Sequence, residues 1–335
     1  MIPLPRERSP ARASRRPLSG RFTGQTGVLF AINLAVAASL AVAAPVFVTP
    51  ANLLAVGVAM AGNAIASIGS SLVLLTGGFD LSIGSVYGLA GIVVSHALLG
   101  GIPVIPAMIL ALASGIAVGA VNGLIITRLR VNPFITTLGT MTICRGFVNI
   151  LTRGYSISGL PDSFTRLLSL KILGLPPSVF VMVLFVVVAD LLMRWWRPAR
   201  QLYYIGGSPA CARLIGVRVD RVTIGAYMIS GFMAAAGGLL FTMRTGAGSQ
   251  QAGTGIEMLA LIAPFLGGVG FGGQGTILAA FLGAVLLGLI FNGIQLLGIA
   301  VLYQNVITGA FLIAAALIGV ARVRRMAAAQ SPGRR

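Results

Sequence analysis

The sequence predicts an all-α polytopic membrane protein with about ten transmembrane helices, and its composition, span lengths and charge placement support this prediction. Of the 335 residues, 57% are hydrophobic and only 9% are charged, whereas a soluble domain carries about 25% charged residues. The mean hydropathy is +0.97. Several segments reach the roughly 20 apolar residues that a helix needs to cross a bilayer. A barrel of short alternating strands fits this pattern poorly.

Apolar stretches bounded by charge, Pro or Gly define ten predicted spans, of which the eighth is short. They are residues 27–47, 53–76, 83–100, 105–127, 132–152, 177–194, 222–243, 257–269, 276–299 and 303–321. They form one expected transmembrane domain, 27–321, between basic tails at 1–26 and 322–335. Asn122-Gly123 recurs as Asn292-Gly293, which is a weak sign of an inverted repeat of five helices, as many transporters have.

The net charge of +18 is concentrated where it sets topology. Arginines cluster before the first span, after the last span and in the loop 194–222, so the positive-inside rule places both termini and this loop in the cytoplasm. Nucleic-acid binding is therefore not expected. Arg15-Arg16 ahead of an apolar run resembles a secretory signal. The stretch 27–47 is of full span length, however, and a retained first helix is favoured.

Motifs for nucleotide, metal or acid–base chemistry are incomplete. Residues 268–273 have the spacing of a dinucleotide-binding turn, but no acidic residue follows Glu257, so we interpret them as a glycine-rich break. The one lysine, Lys171, follows Leu170 rather than glycine, which excludes a phosphate-binding loop. With one histidine, His96, and two cysteines, we predict no catalytic residue, cofactor or metal.

Three acids lie near or within the spans. Asp190 is four residues before Arg194, a spacing that predicts an ion pair on one helix face. Glu257 opens the eighth span, where a carboxylate suits the positive end of a helix. Asp80 is expected at the inner end of the second and third spans. It precedes a helix that should begin near Ile83, so Asp80 or Ser82 is expected to cap that helix, and titration in an ion-coupled carrier is the alternative.

The inner loop 194–222 is long enough to bind a cytosolic partner. Pro209–Leu214 has the length and the small apolar residues of a short helix, and Gly216 is suited to end it. The alternative is a solvated basic loop that only obeys the positive-inside rule.

The run GGFDLSIGS, residues 77–85, resembles the GG-x-DLS-[IV]-GS signature of the permease subunits of ribose-type ATP-binding-cassette sugar importers. The resemblance continues in order along nearly the whole chain. Further matching segments are 122–124, 132–135, 137–141, 145–146, 205–207, 212–214, 216–217, 252–257, 267–268 and 272–275. Two positions depart from the family pattern: Leu259 stands where an acid is common, and Ser208-Pro209 replaces an Asn-Glu-like start of the coupling segment.

This resemblance implies a non-enzymatic transport subunit in the bacterial inner membrane that moves a sugar by alternating access. The implied partners are a separate ATP-binding subunit, a periplasmic sugar-binding protein and a second permease. A secondary carrier or facilitator that needs no ATPase is the alternative. The scarcity of acids in the spans argues against ion coupling.

The candidate site residues fall into three groups. The signature turn contains Gly77, Gly78, Asp80, Ser82, Gly84 and Ser85. The resemblance assigns coupling to the ATPase to Ser208, Pro209, Ala212, Arg213, Leu214 and Gly216. Polar and aromatic residues within spans are candidates for the translocation pathway: Asn63, Tyr87, Asn122, Phe134, Asn292 and Gln295. For each of these six, hydrogen bonding or packing between helices is the alternative role.

Overall fold

A computed structural model describes residues 19–168, 170–270, 272–300, 302–314 and 317. Within these ranges the chain is helical and contains no β-strand. The helices are α1 Ser19–Ala43, α2 Pro50–Leu75, α3 Ile83–Leu99, α4 Val104–Arg128, α5 Pro133–Thr152, α6 Asp162–Thr165, α7 Pro177–Trp195, α8 Arg197–Gly207, α9 Pro209–Leu214, α10 Val219–Thr245, α11 Ile256–Leu266 and α12 Ile277–Leu296. Residues 303–314 are also helical. Short 3-10 turns lie at Pro45–Val48 and Arg166–Leu168.

The predicted fold class is confirmed. Seven helices in the described ranges are long and apolar enough to cross a membrane, namely α1, α2, α4, α5, α7, α10 and α12. The third and eighth predicted spans are shorter apolar helices, α3 and α11. Helix α11 ends at Leu266, two residues after an internal proline. The end of the tenth predicted span, residues 1–18 of the first predicted tail and all of the second lie outside the described residues.

Helices α2 and α10 form the centre of the bundle. In their most apolar windows 83% and 67% of the residues are buried, against 11% in α1. Helix α10 packs on α2, α3 and α4, while α2 also packs on α11 and α12. Small residues permit this close approach: a Cβ atom added at Gly115 or Gly119 of α4 would overlap the backbone of α10. Such close approach through small residues is the usual basis of helix packing in membranes.

The contacts of α2 and α10 agree with the predicted inverted repeat, but those of the outer helices do not. Helix α10 lies against α3 and α4 of the first half, and α2 lies against α11 and α12 of the second half. This is the exchange that two interlocked five-helix halves would produce. The outer helices do not follow it, because α1 packs on α12 whereas α7 packs on α2. The repeat stays a prediction.

Candidate translocation site

The signature turn, residues 77–82 in the structure, leads the chain back into the bundle between α2 and α3, whereas Gly84 and Ser85, predicted in the turn, lie in the first turn of α3. Gly77 has a φ of +84°, and the N–H groups of Gly77 and Gly78 bond to carbonyls of the last turn of α2. This is the left-handed ending that favours glycine. Gly78 has a different requirement, since a Cβ atom there would lie 2.6 Å from the hydroxyl oxygen of Tyr227. One glycine is needed for conformation and the other for space.

Asp80 is 2% exposed and joins this turn to two long helices. Its Oδ1 accepts hydrogen bonds from the backbone N–H of Ser82 at 3.0 Å and from the Ser82 hydroxyl at 2.6 Å. Its Oδ2 accepts from the hydroxyl of Ser230 in α10 at 2.7 Å. Asn122 of α4 donates to the Ser82 hydroxyl oxygen at 2.9 Å. Four side chains thus form one buried network across the turn, α4 and α10.

This network corrects the predicted helix cap. Ser82 is the N-cap residue of α3, but it has helical backbone angles (φ −72°, ψ −14°) and makes no capping bond with its side chain, because a side-chain cap usually needs an extended backbone. Asp80 binds the N–H group of Ser82, ahead of the helix, rather than the free N–H groups inside α3. The carboxylate therefore fixes the turn and binds it to α10.

The turn begins beside the inner loop, since Gly77 and Gly78 line a pocket with Arg213 and Asp220, but it reaches deeper than expected. Ser230 lies eleven residues after Val219, the start of α10, which is about 16 Å along the helix at 1.5 Å per residue. The hydrocarbon core of a bilayer is about 30 Å thick. Asp80, bonded to Ser230, is therefore near mid-depth and not at the inner end of the spans, because residues 77–82 fold back into the bundle.

A polar cavity of about 430 Å³ lies among α2, α3, the last turns of α10 and residues 249–254. The polar side chains lining it include Asn63, Gln251 and Arg244, beside the rings of Tyr87 and Phe241. The centroids of these two rings are 5.9 Å apart. The Arg244 guanidinium lies 5.7 Å from the centroid of the Phe241 ring. Amide and guanidinium groups beside aromatic faces are suited to bind a small polyhydroxy ligand.

The six predicted pathway residues are spread over five places. Asn63 and Tyr87 line the polar cavity. Asn122 is fully buried in the Asp80 network. Phe134 is 50% exposed and packs edge-on against Phe79, and Gln295 is exposed.

Asn292 makes a reciprocal pair with Asn52, in which each amide donates to the other at 3.0 and 3.1 Å. Asn292 and Asn122 thus have the alternative role, hydrogen bonding within the bundle: Asn292 bonds α2, and Asn122 bonds the turn before α3. Sequence reasoning missed Phe241, Arg244 and Gln251 as cavity residues. Arg244 carried a usable signal, since an arginine at the predicted outer end of a span departs from the positive-inside rule.

Residues 246–255, the outer turn, precede α11 as the signature turn precedes α3. Glu257 lies in the first turn of α11, as predicted, and its Oε1 accepts a hydrogen bond from the N–H of Gly255 at 3.1 Å. Its Oε2 is buried and has no hydrogen-bond partner among the described residues. Arg145 of α5 donates to the carbonyl of Ala252 at 2.8 Å. A Cβ atom at Gly84 would overlap Glu257 and the backbone of the outer turn.

The remaining charged candidates have structural partners. The predicted pair of Asp190 and Arg194 is confirmed, with Nε and Oδ2 2.6 Å apart. His96 lies with Nε2 3.0 Å from the carbonyl oxygen of Leu151. Among the described residues, no three His, Cys, Asp or Glu side chains are grouped as metal ligands.

The short helix predicted in the inner loop is confirmed as α9, with the predicted bounds. The Ser208 hydroxyl accepts the N–H of Cys211 at 3.3 Å at its start. Gly216, with φ +83°, follows its end. There the N–H of Val217 bonds to the carbonyl of Ala212, which closes the helix in a Schellman motif.

Helix α9 has a buried side and an exposed side. Ala212 is 1% exposed and packs with Ile205, Val217 and Val219. Leu214 is 87% exposed and Ile215, just after the helix, 67%. The helix is therefore anchored to the bundle and presents apolar side chains outward.

Comparison with known proteins places these features in a family. Residues 52–316 match the family described as branched-chain amino acid transport system / permease component. The chain belongs to this permease family. It is 34% identical over 282 residues to the ribose import permease protein RbsC of Escherichia coli K12, an alignment that covers 82% of this chain and 87% of the relative.

Two further relatives support the same assignment. The permease is 30% identical over 296 residues to the D-allose transport system permease protein AlsC of Escherichia coli K12, covering 88% of this chain and 91% of that protein. It is 34% identical over 259 residues to the autoinducer 2 import system permease protein LsrC of Photorhabdus luminescens, covering 77% and 78%. No solved structure matches the chain. The predicted class, a multi-pass permease subunit of an ATP-binding-cassette importer, is confirmed.

Proposed function

We propose that this permease moves a sugar or related polyol across the bacterial inner membrane by alternating access, driven by a separate ATP-binding subunit. The polar cavity is the observation on which the proposal rests. Its two amides and one guanidinium provide hydrogen-bonding groups for sugar hydroxyl groups, and the Phe241 ring provides an apolar surface beside them. The names of the relatives, which specify ribose and allose, favour the same substrate class.

The partners follow from the same proposal. A periplasmic binding protein delivers the sugar to the outer end of the bundle, where the polar cavity lies. A second permease subunit completes the pathway, and the ATP-binding subunit binds at α9. Both termini are cytoplasmic, on the side of the arginine-rich loop.

Helix α9 supports the proposed contact with the ATP-binding subunit. Its buried side is fixed through Ala212, while Leu214 and Ile215 are exposed at the end of the helix. Ala212 packs with Val219, the first residue of α10, so a displacement of α9 bears directly on the central helix, and Arg213 adds an exposed ion pair with Asp220 at 3.7 Å. Helix α10 also carries Ser230 and lines the polar cavity. Movement at α9 therefore reaches both the Asp80 network and the polar cavity.

The source of energy is tested by uptake of ribose and allose into vesicles that contain the permease and its binding protein, with and without the candidate ATPase. Uptake should require both the ATPase and ATP. Uptake that persists without the ATPase, driven by a proton or sodium gradient, would identify a secondary carrier and contradict the proposal.

The cavity is tested by Gln251→Ala, with Gln250→Ala as the matched control. Gln251 lines the cavity and its neighbour does not. Loss of one neutral hydrogen bond to the sugar should raise the KM for uptake about fivefold, while Gln250→Ala leaves it unchanged. Equal KM values in the two variants would remove the cavity from the substrate pathway.

Docking at α9 is tested by Leu214→Glu, with Leu173→Glu as the control. The two leucines are 87% and 89% exposed, but Leu173 precedes α7 at the opposite end of the bundle. A charge at Leu214 should abolish co-purification with the ATPase and leave membrane insertion intact. Deleting Pro209–Leu214 should have the same effect. Undiminished co-purification of the Leu214 variant would place the contact elsewhere.

A further inference from the structure

An apolar groove of about 500 Å³ lies between α7, α8 and α10, apart from the cavity, the signature turn and α9. Its walls include Leu192 of α7, Leu202 of α8 and Ile229 of α10. Arg221 is the only charged residue among those that line it. The proposed transport mechanism makes no use of this groove.

The length of the groove matches one leaflet of a bilayer. It follows α10 from Arg221 to Met233, twelve residues or about 18 Å, with Arg221 at the headgroup level. Half of a hydrocarbon core of about 30 Å is about 15 Å. At the deep end the rings of Phe185 and Phe232 pack against each other, with centroids 5.8 Å apart. The groove therefore starts at the arginine-rich surface and ends near the mid-plane.

The mouth of the groove has the groups that hold a lipid headgroup. Arg221 is exposed and forms no ion pair with any residue in the described ranges. Trp196, which also lines the groove, is 53% exposed, and tryptophan is enriched at the headgroup level of membranes. Arg200 adds positive charge on α8. Basic pockets between membrane helices on the cytoplasmic side bind anionic headgroups.

We propose that this groove binds an anionic phospholipid, with one acyl chain between α7 and α10 and the phosphate on Arg221. The guanidinium is a planar donor that matches a phosphate oxygen pair. The apolar walls alone would accept any acyl chain, so the arginine provides selection for the anionic headgroup. Because the groove borders α8 and α10, the bound lipid stabilises the helix that leads to α9.

The proposal is tested by native mass spectrometry of the purified full-length permease titrated with phosphatidylglycerol and with phosphatidylcholine of the same acyl chains. Phosphatidylglycerol should bind about fivefold more tightly, the effect of one arginine near a membrane surface. Arg221→Gln should remove this preference. Arg128→Gln, which removes an exposed arginine from the end of α4 outside the groove, should retain it.

A second variant tests the acyl-chain site. A Cβ atom added at Gly225 meets nothing within 4 Å, so Gly225→Leu has room to fill the groove and should weaken binding of both lipids about tenfold. Gly139→Leu on α5, where the added atom also meets open space, is the control. Equal affinity for the two lipids, or equal loss in the Arg221 and Arg128 variants, would overturn the proposal. So would disulfide cross-linking of two copies through Gly225→Cys, since the groove would then be a protein interface.

Discussion

The signature turn and the outer turn are built from similar residues but are held in the bundle in different ways. Each is rich in glycine and precedes a short helix. Asp80 lies within the signature turn, and Glu257 follows the outer turn in α11. Asp80 uses both carboxylate oxygens for hydrogen bonds that connect the turn to α10. Glu257 bonds within its own turn through Oε1, while Oε2 has no hydrogen-bond partner in the described part of the chain.

This difference predicts which substitutions would destabilise each turn. The signature turn is connected to α4 and α10 by polar side chains, so it should be sensitive to the loss of polar groups. The outer turn lies against the bare backbone of α3 at Gly84 and Gly88, with one bond from Arg145. It should be sensitive to added volume and tolerant of changes at its acid.

The largest effect is expected from Gly84→Ala. Its methyl group would overlap Glu257 and the carbonyl of Gly253, and backbone cannot move aside as a flexible side chain can, so overpacking should cost about 3 kcal/mol of unfolding free energy. Denaturation of the purified permease by SDS measures it. Gly139→Ala, with open space around the new methyl group, should be neutral or stabilising by up to about 1 kcal/mol. Similar stabilities for the two variants would show that the outer turn does not pack as described.

Asp80→Ala should have the second largest effect, about 2–3 kcal/mol, because it leaves the hydroxyls of Ser82 and Ser230 without their buried acceptor. Asp80→Asn should cost only about 1 kcal/mol, since the amide oxygen still accepts from Ser82 and the amide nitrogen can donate to Ser230. The same SDS denaturation measures both variants. Sugar uptake by Asp80→Asn adds a second test: retained transport fits a structural role, and complete loss with normal stability would indicate that the carboxylate titrates.

Asn292→Ala sets the scale for a polar contact outside both turns. It removes the reciprocal pair with Asn52 between α2 and α12. Hydrogen bonds between membrane helices average about 0.6 kcal/mol, so the loss of unfolding free energy should be near this value. A loss as large as that of Asp80→Ala would mean that the signature turn is no more critical than an ordinary helix contact.

Glu257→Gln should have the smallest effect, a change within about 0.5 kcal/mol. The amide oxygen of the glutamine still accepts the hydrogen bond from the Gly255 N–H group. Oε2 makes no hydrogen bond to described residues, so none is lost. Arg145 keeps its bond to the carbonyl of Ala252 and loses only its longer-range attraction to the Glu257 charge. Destabilisation equal to that of Asp80→Ala would contradict the difference between the two turns, and SDS denaturation of both variants side by side makes this comparison.

Much of the fold was predictable because membrane helices are marked locally. Runs of apolar residues gave the approximate positions of the seven long helices. The length and small apolar residues of 209–214 predicted α9, and Gly216 marked its end, since helix termination depends on neighbouring residues. The i, i+4 spacing gave the pair of Asp190 and Arg194 for the same reason. Only two of the six predicted pathway residues line the cavity, because whether a polar side chain faces a cavity or another helix depends on residues far away in the chain.

The sequence by itself determined the class of protein, the approximate positions of the helices and the glycine-rich segments at 77–85 and 268–273, because hydrophobicity, charge and turn chemistry act over a few residues. Only the tertiary structure decided the role of Asp80. Its carboxylate could have capped α3, but a serine 150 residues later in the chain lies close enough to bond its second oxygen. Such a contact depends on how α10 packs against α2, α3 and α4, and that packing results from many small-residue contacts along whole helices rather than from any short motif.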